Sequence, residues 1–229
     1  MELKELYSKA NEVAKNVGGK KNELIAVPAV VGKEYFSQPE DNRIMVVGRC
    51  VNGWQESYNG GNIENWYKNS LRWVYISDEP DYTPAGIHSK FWQFIKYKLN
   101  NELGISLKNF SDYIVWTNLY KIAPKECGNL SNKLMSDKKV RELSDKVLAA
   151  EIEFYNPKEI WFITKCNKKN VPDDKERDNW LFETDNGMFV FDKTLQTIKD
   201  KHISARLFYR PEFRKFSDIE EGIDISTLY

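Results

Sequence analysis

Two asparagines, a cysteine and a set of aromatic rings carry the chemistry that this chain of 229 residues offers. Asn118 closes an apolar run from Tyr113 to Leu119, and its carboxamide presents an acceptor and two donors in one plane. That arrangement suits reading the polar edge of a base or another amide-like ligand. The plain alternative is that the side chain satisfies a turn backbone. A second segment, Gly48 to Gly53, begins with a glycine that lets a ligand approach the backbone closely and holds Cys50 and Asn52. It is neither a phosphate loop nor a dinucleotide fingerprint, so neither a kinase nor a dehydrogenase follows. Cys50 becomes a nucleophile only if a helix amino terminus lowers its pKa, and otherwise it is a buried inert thiol. Rings at Trp54, Trp66, Trp73 and Tyr75 can stack on a base or pack in the core.

These residues need elements to hold them, and the chain alternates strand-like and helical segments. Leu3, Leu6, Tyr7, Ala10, Val13, Ala14 and Val17 recur at helical spacing, predicting an amino-terminal helix over about residues 2–17 that ends at Gly18 and Gly19. Buried parallel strands are predicted at Ile44–Val47, Ile114–Thr117, Ile160–Ile163 and Arg206–Phe208, because each run is short, apolar and β-branched or aromatic. Between them lie two helices. One starts at Ser89 as N-cap, carries Phe91, Ile95, Leu99 and Leu103, and stops at Gly104. The other is capped by Ser136, carries Val140, Leu143, Val147, Ala150 and Phe154, and is closed by Asn156 and Pro157. Trp180–Glu183 and Met188–Phe191 flank Asp185, Asn186 and Gly187, a hairpin signal read as an insertion over about residues 178–192. The expected fold is one α/β domain over residues 1–229, three layers deep (α/β/α), with a mainly parallel central sheet. In such a sheet ligands bind outside the carboxyl ends of the strands, where Gly48 to Trp54, Asn118 and Tyr209 to Pro211 converge.

Composition narrows the function classes. Lys and Arg number 34 and Asp and Glu 34, so no global field draws the molecule to a polyanion, and any nucleic-acid site is local. The run of Lys133, Lys138, Lys139 and Arg141 is one candidate patch, or a solvated helix face. No apolar run approaches the roughly 20 residues of a membrane span. The amino terminus lacks the order of a secretory signal, and a cytoplasmic location is expected. Cys50, Cys127 and Cys166 are odd in number and without Cys-x-x-Cys spacing, and only His88 and His202 accompany them. A metal site or disulfide framework is therefore not expected.

Taken in order, these motifs resemble the uracil-DNA glycosylase superfamily over residues 42–216. In that family a first buried strand runs into a Gly-Gln-Asp-Pro-Tyr or Gly-Glu-x-Pro-Gly loop, and Ile44 to Gly53 occupies that place. A helix opening near a DNA-gripping serine is similar to the segment from Ser89. A strand ending in the Asn that reads a flipped base is similar to Val115 to Asn118. The following helix, the strand opened by Pro157 and Ile160, and a final strand running into His-Pro-Ser are similar to Leu148 to Thr164 and Leu207 to Pro211.

The resemblance implies base extrusion and hydrolysis of an N-glycosidic bond, with no metal or organic cofactor and with DNA or a nucleobase-like small ligand as partner. Asn52 would position water and Asn118 would read the base. Gly48 would allow close approach, Trp73 or Tyr75 would stack, and Ser89 and Arg210 would touch phosphate. Cys50 stands where the best-known branch places its water-orienting Asp, and Tyr209 or Arg210 where that branch has His. A thiol with an ordinary pKa of about 8.5 is a poor substitute for a carboxylate. Asn52 cannot take up a proton. Two functions are thus expected from one pocket: a divergent glycosylase acting on a damaged or deaminated base, or a protein that binds a base, nucleoside, nucleic acid or other small ligand without cleaving it.

Overall fold

Strand β3 (Ile44–Gly48) is buried along its whole length, as a strand covered on both faces must be. The computed structural model describes residues 2–18, 24–49, 90–104, 110–124, 130–165, 182–184, 187–189, 191–209 and 223–224. Within them β3 pairs in parallel with β4 (Ile114–Asn118) on one side and β6 (Glu159–Lys165) on the other. Strand β9 (Ser204–Tyr209) continues the parallel set beside β6. Antiparallel edges close it, β2 (Val30–Val31) on β4 and β10 (Ile223–Asp224) on β9. The six-stranded order is β10-β9-β6-β3-β4-β2, so the sheet is mixed and mostly parallel, and the class is α/β. Two smaller antiparallel pairs accompany it: β1 (Leu24–Ala26) with β5 (Ile122–Pro124), and β7 (Phe182–Thr184) with β8 (Gly187–Phe189).

The helices divide between the two faces. Helix α1 (Leu3–Val17) packs on α4 (Lys138–Tyr155), which in turn meets α5 (Asp192–Asp200). Helix α2 (Lys90–Leu103) lies opposite, with Trp92 edge-on to Trp116 of β4 at 4.9 Å and Phe94 edge-on to Phe208 of β9 at 5.5 Å. The split follows from the strand order. The crossover from β3 to β4 runs one way along the sheet, and those from β4 to β6 and from β6 to β9 run the other way. Right-handed crossovers in opposite directions must put their helices on opposite faces. A short α3 (Asn132–Met135) precedes α4.

All four predicted parallel strands are present, and the structure corrects several local expectations. Asp137, not Ser136, caps α4, its side chain accepting from the amides of Lys139 and Val140. A carboxylate one residue closer to the first turn reaches those donors directly. The buried stripe of α4 ends on Tyr155, leaving Phe154 55% exposed, because Ser144 and Glu151 complete the inward face and a purely apolar count misplaced its phase. Gly104 does take the left-handed φ of 63° expected of a helix stop. Gly18 does not, since its φ is −71° and the chain leaves α1 extended. In the hairpin, Gly187 pairs with Thr184 and so belongs to the second strand, while Phe191 is the N-cap of α5 instead of a strand end.

Helix α5 itself is invisible in the apolar pattern, because Leu195 and Ile198 make too short a stripe. Its orphan amides are capped from outside: the Asp145 carboxylate on α4 accepts from Lys193 N at 2.9 Å, and from Thr194 N and Thr194 Oγ1 at 2.8 Å. Negative charge at that end also suits the helix dipole. Of the basic run, Lys138 and Lys139 are solvated, and Lys138 pairs with Glu142 at 3.7 Å, whereas Arg141 is half-buried. Among the described residues no helix is long and apolar enough to cross a membrane.

An ion cluster ties α2 to the sheet beneath it. Arg206 donates to Glu102 at 2.6 Å and to Glu159, and its guanidinium lies 5.5 Å from the Trp161 ring centre. Burial alone would raise the Glu102 carboxyl, but the bonds from Arg206 and Lys98 and their charges outweigh it and hold its pKa below the ordinary value of 4.5. A carboxylate depressed in the folded state contributes stability above its unfolded pKa and loses that contribution as pH falls through the folded value. We therefore expect Glu102→Gln to destabilise the protein at neutral pH and to differ progressively less from the parent as acid unfolding is followed below the ordinary carboxylate range. A stability difference that stays constant with pH would show that the carboxylate's charge contributes nothing.

Candidate functional site

Parallel pairing with β3 and β4 in register sets Gly48 opposite Asn118 at the carboxyl end of both strands. Alternation along the strands then decides which face each side chain takes. Ile114, Trp116 and Asn118 share the α2 face, while Val115 and Thr117 point toward α1 and α4. A Cβ built on Gly48 would stand 2.7 Å from Asn118 Oδ1 and 3.4 Å from two ring atoms of Phe91 at the start of α2. The carboxamide therefore lies directly across the glycine, in space that any side chain on residue 48 would fill.

Asn118 is 2% exposed, and three amides of the turn that follows it bond to other groups. The Leu119 amide donates to Gly48 O at 2.8 Å and the Tyr120 amide to Arg49 O at 3.2 Å, while the Lys121 amide donates to Ser144 Oγ at 3.1 Å. These three backbone donors of the turn find acceptors other than the Asn118 carboxamide. A carboxamide offers an acceptor and two donors in one plane, and this one stands at the carboxyl edge of the sheet, across from Gly48.

This point is also where the sheet changes direction. The chain leaves β3 for β4 over one face and then returns past β3 to β6 over the other. Ligands in open α/β sheets sit in the crevice outside the carboxyl ends at such a switch. Two more residues join Gly48 and Asn118 here: Arg49, from the expected Gly48 to Trp54 segment, and Phe91, which was not singled out as site-forming. Phe91, half-buried and edge-on to Trp92 at 5.0 Å, offers a ring beside Gly48. Arg49 brings a guanidinium to the same edge, with Nη2 3.3 Å from Met135 Sδ. A helix that follows a parallel strand begins at the carboxyl edge, and that topological fact was the available signal for Phe91. Of the other expected site residues, Cys50, Asn52, Trp73, Tyr75, Ser89 and Arg210 lie outside the described residues, as do Trp54, Trp66 and Pro211.

On the opposite face, directly behind Asn118, lies a fully buried polar cluster that apolar patterning had passed over. Glu151 of α4 accepts from Tyr7 Oη at 2.7 Å through Oε1, and from Thr117 Oγ1 at 2.7 Å and Lys121 Nζ at 2.6 Å through Oε2. Tyr7 Oη in turn accepts from the Ala29 amide at 3.1 Å. Burial pushes the Lys121 ammonium below the ordinary lysine value, and the Glu151 charge and hydrogen bond oppose that shift. Among the described residues no group of three or more His, Cys, Asp or Glu is placed to hold a metal ion.

Gly48→Ala should force the Asn118 carboxamide to swing aside, since the tip of a side chain moves more easily than either strand. The expected result is a stability loss of about 1–3 kcal/mol, as for other overpacked sites, together with a displaced Asn118 side-chain amide signal in nitrogen-15 NMR spectra. An unmoved signal would mean that the two residues are not in the contact described.

No protein-family model matches this chain, and no curated protein is significantly similar to it.

Proposed function

We propose that the protein is a divergent uracil-DNA glycosylase-like hydrolase that takes a damaged or deaminated base into the carboxyl edge at Gly48 and Asn118. The observation carrying this reading is the Asn118 carboxamide, buried at a topological switch point across from Gly48, while the amides of its own turn bond to other acceptors. A base edge supplies the donor and acceptor that complement such a group. Gly48 leaves room for the base, and Phe91 offers a stacking ring beside it, in addition to the Trp73 and Tyr75 named from the sequence.

In this reading Asn52 orients a water whose oxygen bonds to the sugar carbon as the glycosidic C–N bond breaks; the departing base retains that bond's electron pair and takes up, through solvent, the proton that the water loses. Arg49 and Arg210 supply cationic contacts to phosphate. The sheet supports the superfamily resemblance, because the four strands expected from the motifs lie parallel in one sheet and β3 and β4 bring the Ile44–Gly53 motif and the Asn118 motif to one edge. The departure at Cys50 favours a second reading, base binding without cleavage.

Both readings are tested with oligonucleotides carrying uracil, hypoxanthine or xanthine, assayed for base release and for binding. Release of any one base establishes the hydrolase. Binding without release establishes the second reading, and neither result in any of the three overturns both. Asn118→Ala should cost about 1–3 kcal/mol of affinity by leaving the bound edge without its partner. Cys50→Ser should change little, and Cys50→Asp should create or raise uracil release. Should Cys50→Ser abolish an activity that Asn118→Ala spares, the cysteine would be a nucleophile and the proposed roles would be wrong.

A further inference from the structure

Asn118 stands in an arc of chain whose two ends close on a single atom. Thr117, the residue before it, and Lys121, three residues after it, both donate to Oε2 of Glu151, and Lys121 Nζ also donates to Thr117 Oγ1. All three side chains are buried, Lys121 and Glu151 at 0% exposure. The arc is pinned from outside as well, since the Val27 amide donates to Lys121 O at 2.8 Å and Tyr120 Oη donates to Met135 O at 3.2 Å.

A packing role alone does not require this construction. An apolar trio of similar volume would fill the same space without the desolvation that a buried ion pair incurs. The polar version adds direction. Three hydrogen bonds meeting between two side chains and one carboxylate oxygen allow few arrangements of the Thr117–Lys121 backbone, and solvent cannot reach that interior to substitute for any of them. Alternation along β4 then turns this constraint to the opposite face, where Asn118 is the next side chain.

We propose that the Thr117–Glu151–Lys121 ring is a positioning device for Asn118: it fixes the backbone arc so that the carboxamide is held across Gly48, preorganised for a ligand. Thr117, Glu151 and Lys121 act through Asn118 and touch no ligand themselves. The inference rests on the reading of Asn118 as the group that meets the ligand, but the position of its carboxamide can be measured without one.

The test pairs Lys121→Met with Glu151→Gln. Either substitution alone strands a buried polar partner and threatens folding, whereas the double variant carries no buried charge and its new carboxamide at position 151 still accepts from Thr117. Asn118→Ala identifies the Asn118 side-chain amide pair in nitrogen-15 NMR spectra of the free protein. In the parent that pair should be sharp and singly positioned. In the folded double variant it should broaden or shift, while side-chain signals of the distant contact between Phe94 and Phe208 stay in place. Affinity for a uracil-containing oligonucleotide should fall about tenfold, the loss expected when one hydrogen bond is misplaced.

An Asn118 signal that is unchanged in the folded double variant overturns the device whatever the ligand. An Asn118 signal that moves, in a protein whose oligonucleotide binding is indifferent to Asn118→Ala, upholds the device and rejects the base-reading role instead. If the double variant does not fold, Thr117→Val in the parent, which removes one side of the ring and keeps the ion pair, is read by the same signal with the same two outcomes.

Discussion

Glu151 and Lys121 are a carboxylate and an ammonium group with no access to water, placed where α1, α4, β4 and the turn after β4 meet. Taking either charge into the interior costs several kcal/mol even after relaxation, and mutual attraction recovers this only with good geometry and with the remaining polar atoms bonded. That condition is met. Tyr7 occupies the other carboxylate oxygen, Thr117 shares the first, and the Tyr7 hydroxyl still accepts a backbone amide from the chain after β1. Three segments far apart in sequence, α1, α4 and the stretch from β4 through its turn, are therefore held to one arrangement, because displacing any of them would leave the buried carboxylate short of a partner.

The rest of the architecture is arranged around the strand that this cluster anchors. β4 lies next to β3 in register, so anchoring β4 also sets the height at which Gly48 and Asn118 face each other. Hydrophobic burial supplies the bulk of the driving force, through the wholly buried β3 and the aromatic packing of α2 on Trp116 and Phe208. Burial is non-directional, however, and would tolerate small slides of β4. Directional bonds on the α4 face remove that freedom, and the benefit appears on the α2 face.

The parallel strands were legible because a strand covered on both faces must be continuously apolar, and Ile44–Val47, Ile160–Ile163 and their neighbours satisfy that rule without tertiary help. The edges were not. β2 and β10 are each two residues long, and strands that short carry no period. Helix α5 escaped for a related reason, since its cap comes from Asp145, 49 positions before Thr194, and no local motif announces it. Phe154 and Tyr155 show the limit of counting apolar residues. Their order on the inward face turns on a buried glutamate that a hydrophobic template reads as surface.

For the site, residue types alone singled out Gly48 and Asn118, since a glycine and an asparagine that end consecutive buried strands are chemically conspicuous. What they do was undecided at that level. Whether an asparagine in that position caps the amides of its turn depends on where those amides go, and they find Gly48 O, Arg49 O and Ser144 Oγ, acceptors set by strand pairing and by a helix residue 23 positions beyond Lys121. Local patterns determine which segments become buried strands and helices, because burial and period are properties of a stretch of chain. Only the tertiary structure decides which polar atoms satisfy one another, because a hydrogen bond can be completed by any part of the molecule that folding brings near.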